Sequence, residues 1–170
     1  MKSIVIYSSL TGNTKQVAET IARVLPADTL CVSMSKLPSD MASYELVFAG
    51  FWVDKGTVNK EARDVLGTLH NPYIALFATA GVPPQMEHAK QSLINAAACL
   101  PEGVVPVDTF ICQGKVDPKV IEMMYKMFPK GHSHGQSADR DARHKQAAVH
   151  PNEDDGKAAR QFAKHVLDII

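Results

Sequence analysis

Apolar and polar positions follow two different rhythms along this chain. Lys2 to Tyr7, Glu45 to Phe48, Tyr73 to Phe77 and Val104 to Ile111 are short, nearly unbroken apolar or β-branched runs, and they read as strands. Leu30 to Ser33 reads as a weaker fifth strand. Between these runs the spacing becomes helical. Val17, Ile21, Val24 and Leu25 share one face of a helix over Thr14 to Leu25, and similar patterns cover Val58 to Leu69 and Glu87 to Ala98. The final segment, Glu153 to Ile170, places Ala159, Phe162, Ala163, Val166, Leu167 and Ile170 at helical spacing behind an acidic first turn. Apolar strands that alternate with helices must be buried on both faces. The predicted class is therefore α/β, a three-layer sandwich around a parallel, doubly wound sheet. Ligands of such sheets lie outside the carboxyl ends of the strands where strand order reverses, which directs attention to the loops after strands one, three and four.

Composition narrows the picture without changing it. The 170 residues suit a single domain, residues 1–170, with 45 % hydrophobic and 21 % charged residues and a formal net charge of zero. That balance carries no footprint for nucleic acid. The amino-terminal apolar run is too short for a signal sequence and no stretch is long enough for a membrane span, so the expected location is cytoplasmic. Cys31, Cys99 and Cys112 are far apart and show no CxxC spacing, as expected for reduced, buried thiols. One segment breaks the strand-helix rhythm. Residues 115–150 hold seven Lys or Arg against four Asp or Glu, and four of the seven histidines of the chain.

Candidate chemistry begins with SSLTGNT. Ser9, Thr11 and Thr14 offer hydroxyls, Leu10 separates them, Gly12 permits close backbone approach, and a helix opens near Asn13. Unsatisfied N–H groups and a positive dipole at such an opening accept a phosphate, although Thr11 or Asn13 could equally cap the helix with no ligand. The loop has neither the lysine and spacing of a Walker A loop nor a GxGxxG pattern. It does match [ST]-x-T-G-x-T, and here the chain resembles the flavodoxin family. The resemblance implies a flavodoxin-like sheet of five parallel strands in the order 2-1-3-4-5. It also implies a noncovalent FMN whose phosphate is held by hydroxyls, N–H groups and dipole in place of a basic side chain.

The resemblance gives the other two loops roles. In FWVDKG, Phe51 and Trp52 are placed at a strand end, where an indole could stack on a flat ring or fill the core. Flavodoxins hold the isoalloxazine with this loop, which implies contacts from Phe51, Trp52, Val53, Asp54, Lys55 and Gly56. Gly56 would let the Asp54–Lys55 or Lys55–Gly56 peptide reorient toward the flavin N5. In the third loop Thr79, Ala80 and Gly81 occupy the flavin-contacting positions, followed by GVPPQM, which lacks the tyrosine and the acidic residues of many relatives. One ring face is therefore expected to be more open, and the potential less negative than is usual for the family.

The resemblance covers residues 1–114 and the last helix, and CQGK at Cys112 to Lys115 links it to a subgroup found in anaerobic bacteria beside reductases. Within 115–150, HSH places two histidines in a glycine-rich loop with no third ligand arranged, which suits solvated loop better than a metal. Met123, Met124, Tyr125, Met127 and Phe128 read as a short helix on the sheet edge or as a docking surface for an acidic redox partner. No nucleophile-base constellation is visible, and no catalytic residue is expected. The expected function is electron transfer by a monomer or weak dimer, from a reductase to an acceptor enzyme. The alternatives are a flavin-dependent NAD(P)H or quinone-type reductase of a small aromatic, and a flavin-free phosphate-binding regulatory domain.

Overall fold

The structure is a computed structural model describing residues 1–170. Its elements are β1 (Ser3–Tyr7), α1 (Asn13–Ala22), β2 (Leu30–Ser33), β3 (Leu46–Asp54), β4 (Thr57–Val58), α2 (Lys60–Leu66), β5 (Tyr73–Ala80), α3 (Glu87–Ala97), β6 (Asp108–Gln113), α4 (Pro118–Met127), α5 (Ala138–Ala147) and α6 (Glu153–Ile169). The parallel strands lie in the order β2-β1-β3-β5-β6, with β4 paired antiparallel to the end of β3. Apart from that two-residue addition, this is the expected 2-1-3-4-5 arrangement, and strand order reverses at β1 and β3.

The pleat sends alternate residues of the central strands to opposite faces. Val5, Phe48, Ala75 and Phe77 join Val17 and Ile21 of α1 and Phe162 and Val166 of α6 in one core cluster. Ile4, Val47, Ala49 and Leu76 join Ala62 and Leu66 of α2 and Ala96 of α3 in the other. Neither face has room for polar alternation. Phe162 meets Phe48 edge-on with ring centroids 5.8 Å apart, which fixes α6 across the sheet. Gly50 has a steric reason for its place in β3, since a Cβ there would lie 2.1 Å from the Phe77 ring.

Some boundaries differ from the expected ones. β3 continues past Phe48 to Asp54, because Gly50, Phe51 and Trp52 stay in register with Phe77, Ala78 and Thr79 of β5. The helix expected from Val58 starts at Lys60, since Thr57 and Val58 turn back onto β3. The last strand starts at Asp108 instead of Val104, after Pro106, which has no N–H to give a ladder. The methionine stripe forms a longer helix than expected, α4, and none of its residues is buried, so it does not pack into the sheet edge. It leans on α5, where the Tyr125 hydroxyl donates to Asp141 at 3.0 Å. Cys112 is buried and Cys31 and Cys99 are partly buried, and all three are free thiols. No helix is long and apolar enough to cross a membrane.

Candidate functional site

The turn after β1 leaves its helix open. Gly12, the residue before α1, has φ 98° and ψ −8°, a left-handed conformation that glycine adopts without penalty. Its N–H donates to Ser9 Oγ at 3.1 Å, which shapes the turn. No side chain caps α1, and the N–H groups of Asn13, Thr14 and Lys15 have no acceptor in the chain. Both capping alternatives are closed off, because Thr11 makes no cap and Asn13 donates its Nδ2 to the Lys115 carbonyl at 2.8 Å. The Thr14 hydroxyl is buried and pairs with Thr79 Oγ1 at 2.9 Å, tying the start of α1 to the end of β5. Three donors and the positive end of the helix dipole therefore remain free at this end of the sheet.

The end of β3 is clamped from behind. Asn59 accepts from the Trp52 N–H through Oδ1 at 3.3 Å and donates its own N–H to the Trp52 carbonyl at 3.3 Å. Its Nδ2 donates to Ser8 Oγ at 2.8 Å, and the Ser8 hydroxyl in turn donates to the Glu61 carboxylate. Asn59 precedes α2 but spends its side chain on these bonds and caps nothing. Beyond Trp52 the chain reverses in two residues, Lys55 with φ 50° and Gly56 with φ 80°, the two positive angles of a type I′ hairpin turn. Asn95 Nδ2 donates to the Gly56 carbonyl at 3.2 Å, and a Cβ on Gly56 would lie 2.9 Å from the His88 ring.

A fourth loop, after β6, completes the end of the sheet. Gly114 donates its N–H to the Ala80 carbonyl at 2.8 Å, and a Cβ there would meet the Asn13 amide at 2.7 Å. Gly81 is equally constrained, its missing Cβ being 2.7 Å from Val116. Lys115 donates its N–H to the His150 carbonyl at 2.9 Å, while His150 Nδ1 lies 2.6 Å from Asp155 Oδ2. Asp155 also closes the capping box of α6 with Asn152. The start of α6 thus anchors the loop that faces α1.

These loops enclose a cavity of about 220 Å³. Leu10, Thr11 and Asn13 line it from the first loop, Trp52, Val53 and Asp54 from β3, and Thr79, Ala80 and Gly81 from β5. Ser9, Gly12 and Thr14 shape the first loop without lining the cavity. Phe51 is fully buried and belongs to the core, its side chain pointing to the opposite side of the strand from that of Trp52. Lys55 faces a neighbouring cavity, and Gly56 sits behind it against His88. Sequence reasoning missed Gly114, Lys115, Val116, Asp117 and Val120, which form the remaining wall. The CQGK segment was the available signal. Lys115 and Asp117 border a small pocket together with Thr11 and Asn13, so a basic residue accompanied by an acidic one adjoins the first loop, where no basic side chain was expected. Burial raises the Cys112 thiol far above its ordinary pKa, with Asp155 adding to the effect, so it is no nucleophile.

Comparison with known proteins agrees with this geometry. The Flavodoxin domain family matches residues 4–164. A "Flavodoxin-like domain-containing protein BilS" of Clostridioides difficile is 34 % identical over 174 residues, covering 98 % of this chain and 97 % of the relative. The protein of the same name from Clostridium symbiosum is 33 % identical, covering 95 % and 94 %. Among solved structures, a Streptococcus flavodoxin superposes with a TM-score of 0.60 over the whole of both chains at 13 % identity. A Lactobacillus acidophilus flavoprotein solved with FMN gives 0.54 at 17 % identity, covering 65 % of this chain and 93 % of that one. An uncapped first helix facing the ends of β3, β5 and β6, together with a family match along nearly the whole chain, places this protein in the flavodoxin domain family.

Proposed function

We propose that this chain binds FMN noncovalently and passes electrons from a reductase to an acceptor enzyme. The observation that carries the reading is the uncapped start of α1, three free N–H donors opening on a cavity with an indole in its wall. Ser9, Leu10, Thr11, Gly12, Asn13 and Thr14 make the phosphate cradle. Thr11 faces the anion, Ser9 and Gly12 hold the turn, Thr14 braces it from behind, and Lys115 adds a positive charge at the rim. Trp52, Val53, Asp54 and the Lys55–Gly56 turn border the ring, with Phe51 supporting the strand from the core. Thr79, Ala80 and Gly81 pass beneath, where the absence of a Cβ at Gly81 lets Val116 approach the strand end. In place of a sandwiching tyrosine, Val116 and Val120 offer an aliphatic wall. When bound, FMN supplies the one- and two-electron redox chemistry, and the chain supplies binding and tuning.

Titration of flavin-free protein with FMN and with riboflavin tests the reading. FMN is expected to bind and quench Trp52 fluorescence, with riboflavin binding about tenfold or more weakly because the free donors of α1 lose their anion. Equal affinity for the two would remove the phosphate cradle, and no binding of either would leave only the flavin-free regulatory reading. A carrier should oxidise NAD(P)H slowly unless a reductase is added. A second reading, reduction of a small aromatic or quinone-type molecule by the loaded protein itself, is favoured by one observation, a second cavity that shares Val53, Ala80, Gly81 and Val116 with the first.

A further inference from the structure

The second cavity, about 330 Å³, differs in chemistry from the first. Lys55 of the hairpin, His88 of α3, and Arg140, Arg143 and His144 of α5 line it, and no acidic residue does. Three elements far apart in sequence therefore direct positive or proton-accepting groups into one space. Glu87 and Asp139, the sequence neighbours of His88 and Arg140, do not line it, and two further carboxylates are oriented by other groups. Asp141 accepts from the Tyr125 hydroxyl at 3.0 Å and from Gln136 Nε2 at 3.1 Å, and Asp54 faces the first cavity. None of the ion pairs of the chain includes Lys55, Arg140 or Arg143.

The arginines are held in place by neutral groups. Arg140 donates Nε to the Ser133 carbonyl at 3.0 Å and approaches Met124 Sδ with Nη1 at 3.9 Å. Arg143 has only a long bond from Nε to the Asp139 carbonyl, 3.4 Å. These contacts orient the guanidinium groups and neutralise neither, and Asp141 is the carboxylate whose charge is felt beside them, at His144. Burial, and after it the charge of Arg140, lowers the His144 imidazole from its ordinary range, Asp141 opposing the shift and Arg143 adding less to it. The remaining wall is apolar, with Val53, Val82, Val116 and Met124. Guanidinium forks suit the planar, two-oxygen geometry of a carboxylate, and an apolar wall suits a hydrocarbon body.

We propose that this cavity is a binding site for a small organic carboxylate with an apolar or aromatic body, gripped by Arg140 and Arg143. Its volume of about 330 Å³ and its apolar wall favour a free small molecule with a hydrocarbon body over an acidic side chain of a partner protein, which would need only a basic patch. Through the shared residues Val53, Ala80, Gly81 and Val116 the ligand would lie beside the flavin. That position rests on the FMN reading, whereas carboxylate binding itself does not.

The test uses the full chain, flavin-free and FMN-loaded, followed by amide NMR during titration with benzoate, its neutral isostere benzamide, and poly-L-glutamate. Benzoate is expected to shift signals of Val82, Val116 and residues 140–144 saturably, with benzamide about tenfold or more weaker. Arg140→Gln/Arg143→Gln should weaken benzoate by about tenfold or more while FMN affinity stays at the wild-type value. Because Arg140 also pins Ser133, Arg143→Gln alone, exposed and held by one long bond, is the second variant. It should weaken benzoate by about threefold or more with an unchanged melting curve, and Arg143→Lys should recover part of the loss. Equal binding of benzoate and benzamide, indifference to both arginine changes, or binding of poly-L-glutamate alone would each overturn the proposal. Benzoate binding in a chain that fails to take FMN would sustain it and overturn the FMN reading instead.

Discussion

Asn59→Ala should both destabilise the fold and loosen the indole wall. The side chain is 3 % exposed, and its amide satisfies the Trp52 N–H at 3.3 Å and donates to Ser8 Oγ at 2.8 Å. Truncation strands the half-buried Trp52 N–H, a loss of about 1–3 kcal/mol, while Ser8 keeps its bond to Glu61 and loses less. A small void adds to this, and no helix cap is lost, because the side chain of Asn59 does not cap α2. The total is about 2–4 kcal/mol, a fall in melting temperature of roughly 5–12 °C for a domain of this size. Differential scanning calorimetry of the flavin-free chain reads the first effect, and FMN titration of the same variant reads the second. Ser8→Ala and the double variant complete a cycle whose expected coupling is about 0.5–2 kcal/mol. A stability within about 0.5 kcal/mol of wild type, or strict additivity with Ser8→Ala, would refute the clamp.

Three further outcomes follow from the geometry. Gly56→Ala should cost about 1–2 kcal/mol, since φ of 80° is unfavourable for a side chain and the added Cβ would lie 2.9 Å from His88. It should also shift the midpoint potentials of the FMN-loaded protein, and unchanged potentials would mean that this turn does not answer to the flavin. Asn152→Ala should lower stability by about 1 kcal/mol in thermal melts by removing one half of the α6 capping box, and no change would show the box to be redundant. At pH 8 the native thiols should react slowly with a thiol-specific disulfide reagent. Burial, aided by Glu19, pushes Cys31 up to about 11 and burial raises Cys112 further, so the thiolate fraction grows only as pH rises well above the ordinary thiol range. Three fast equivalents in guanidinium and few before it are expected, and fast reaction of Cys112 in the native chain would contradict its burial.

Local pattern made some of this site legible. The strand, turn and helix around SSLTGNT are encoded within a few residues, and ATAG follows directly from an apolar strand. Trp52 reads from the sequence as a ring contact at a strand end, but the apolar run stops at Phe48, because Gly50 interrupts it and hides that β3 continues to Asp54. The reason for that glycine is the Phe77 ring of the neighbouring strand, a contact between residues far apart in sequence. Phe51 shows the same limit in reverse. It sits beside Trp52 in sequence and on the opposite side of the strand in space, because the pleat alternates. The sequence marks Gly56 as a point where a peptide can reorient, but the two-residue hairpin around Lys55 and Gly56 appears only with the pairing of Val53 with Val58.

By itself, then, the order of apolar and polar residues determined the layers, the strand order through its family resemblance, and the presence of an anion-accepting helix start, since each depends on near neighbours. Only the tertiary structure decided that Asn13 turns away to Lys115 and leaves α1 uncapped, that Asn59 holds Trp52 from behind, and that the loop after β6 closes the cavity. The same holds for Lys55, Arg140 and Arg143, which line one space although about half of the chain separates the first from the others. Hydrogen bonds and charge convergence depend on distance in space, and that distance is set when the two faces of the sheet are packed.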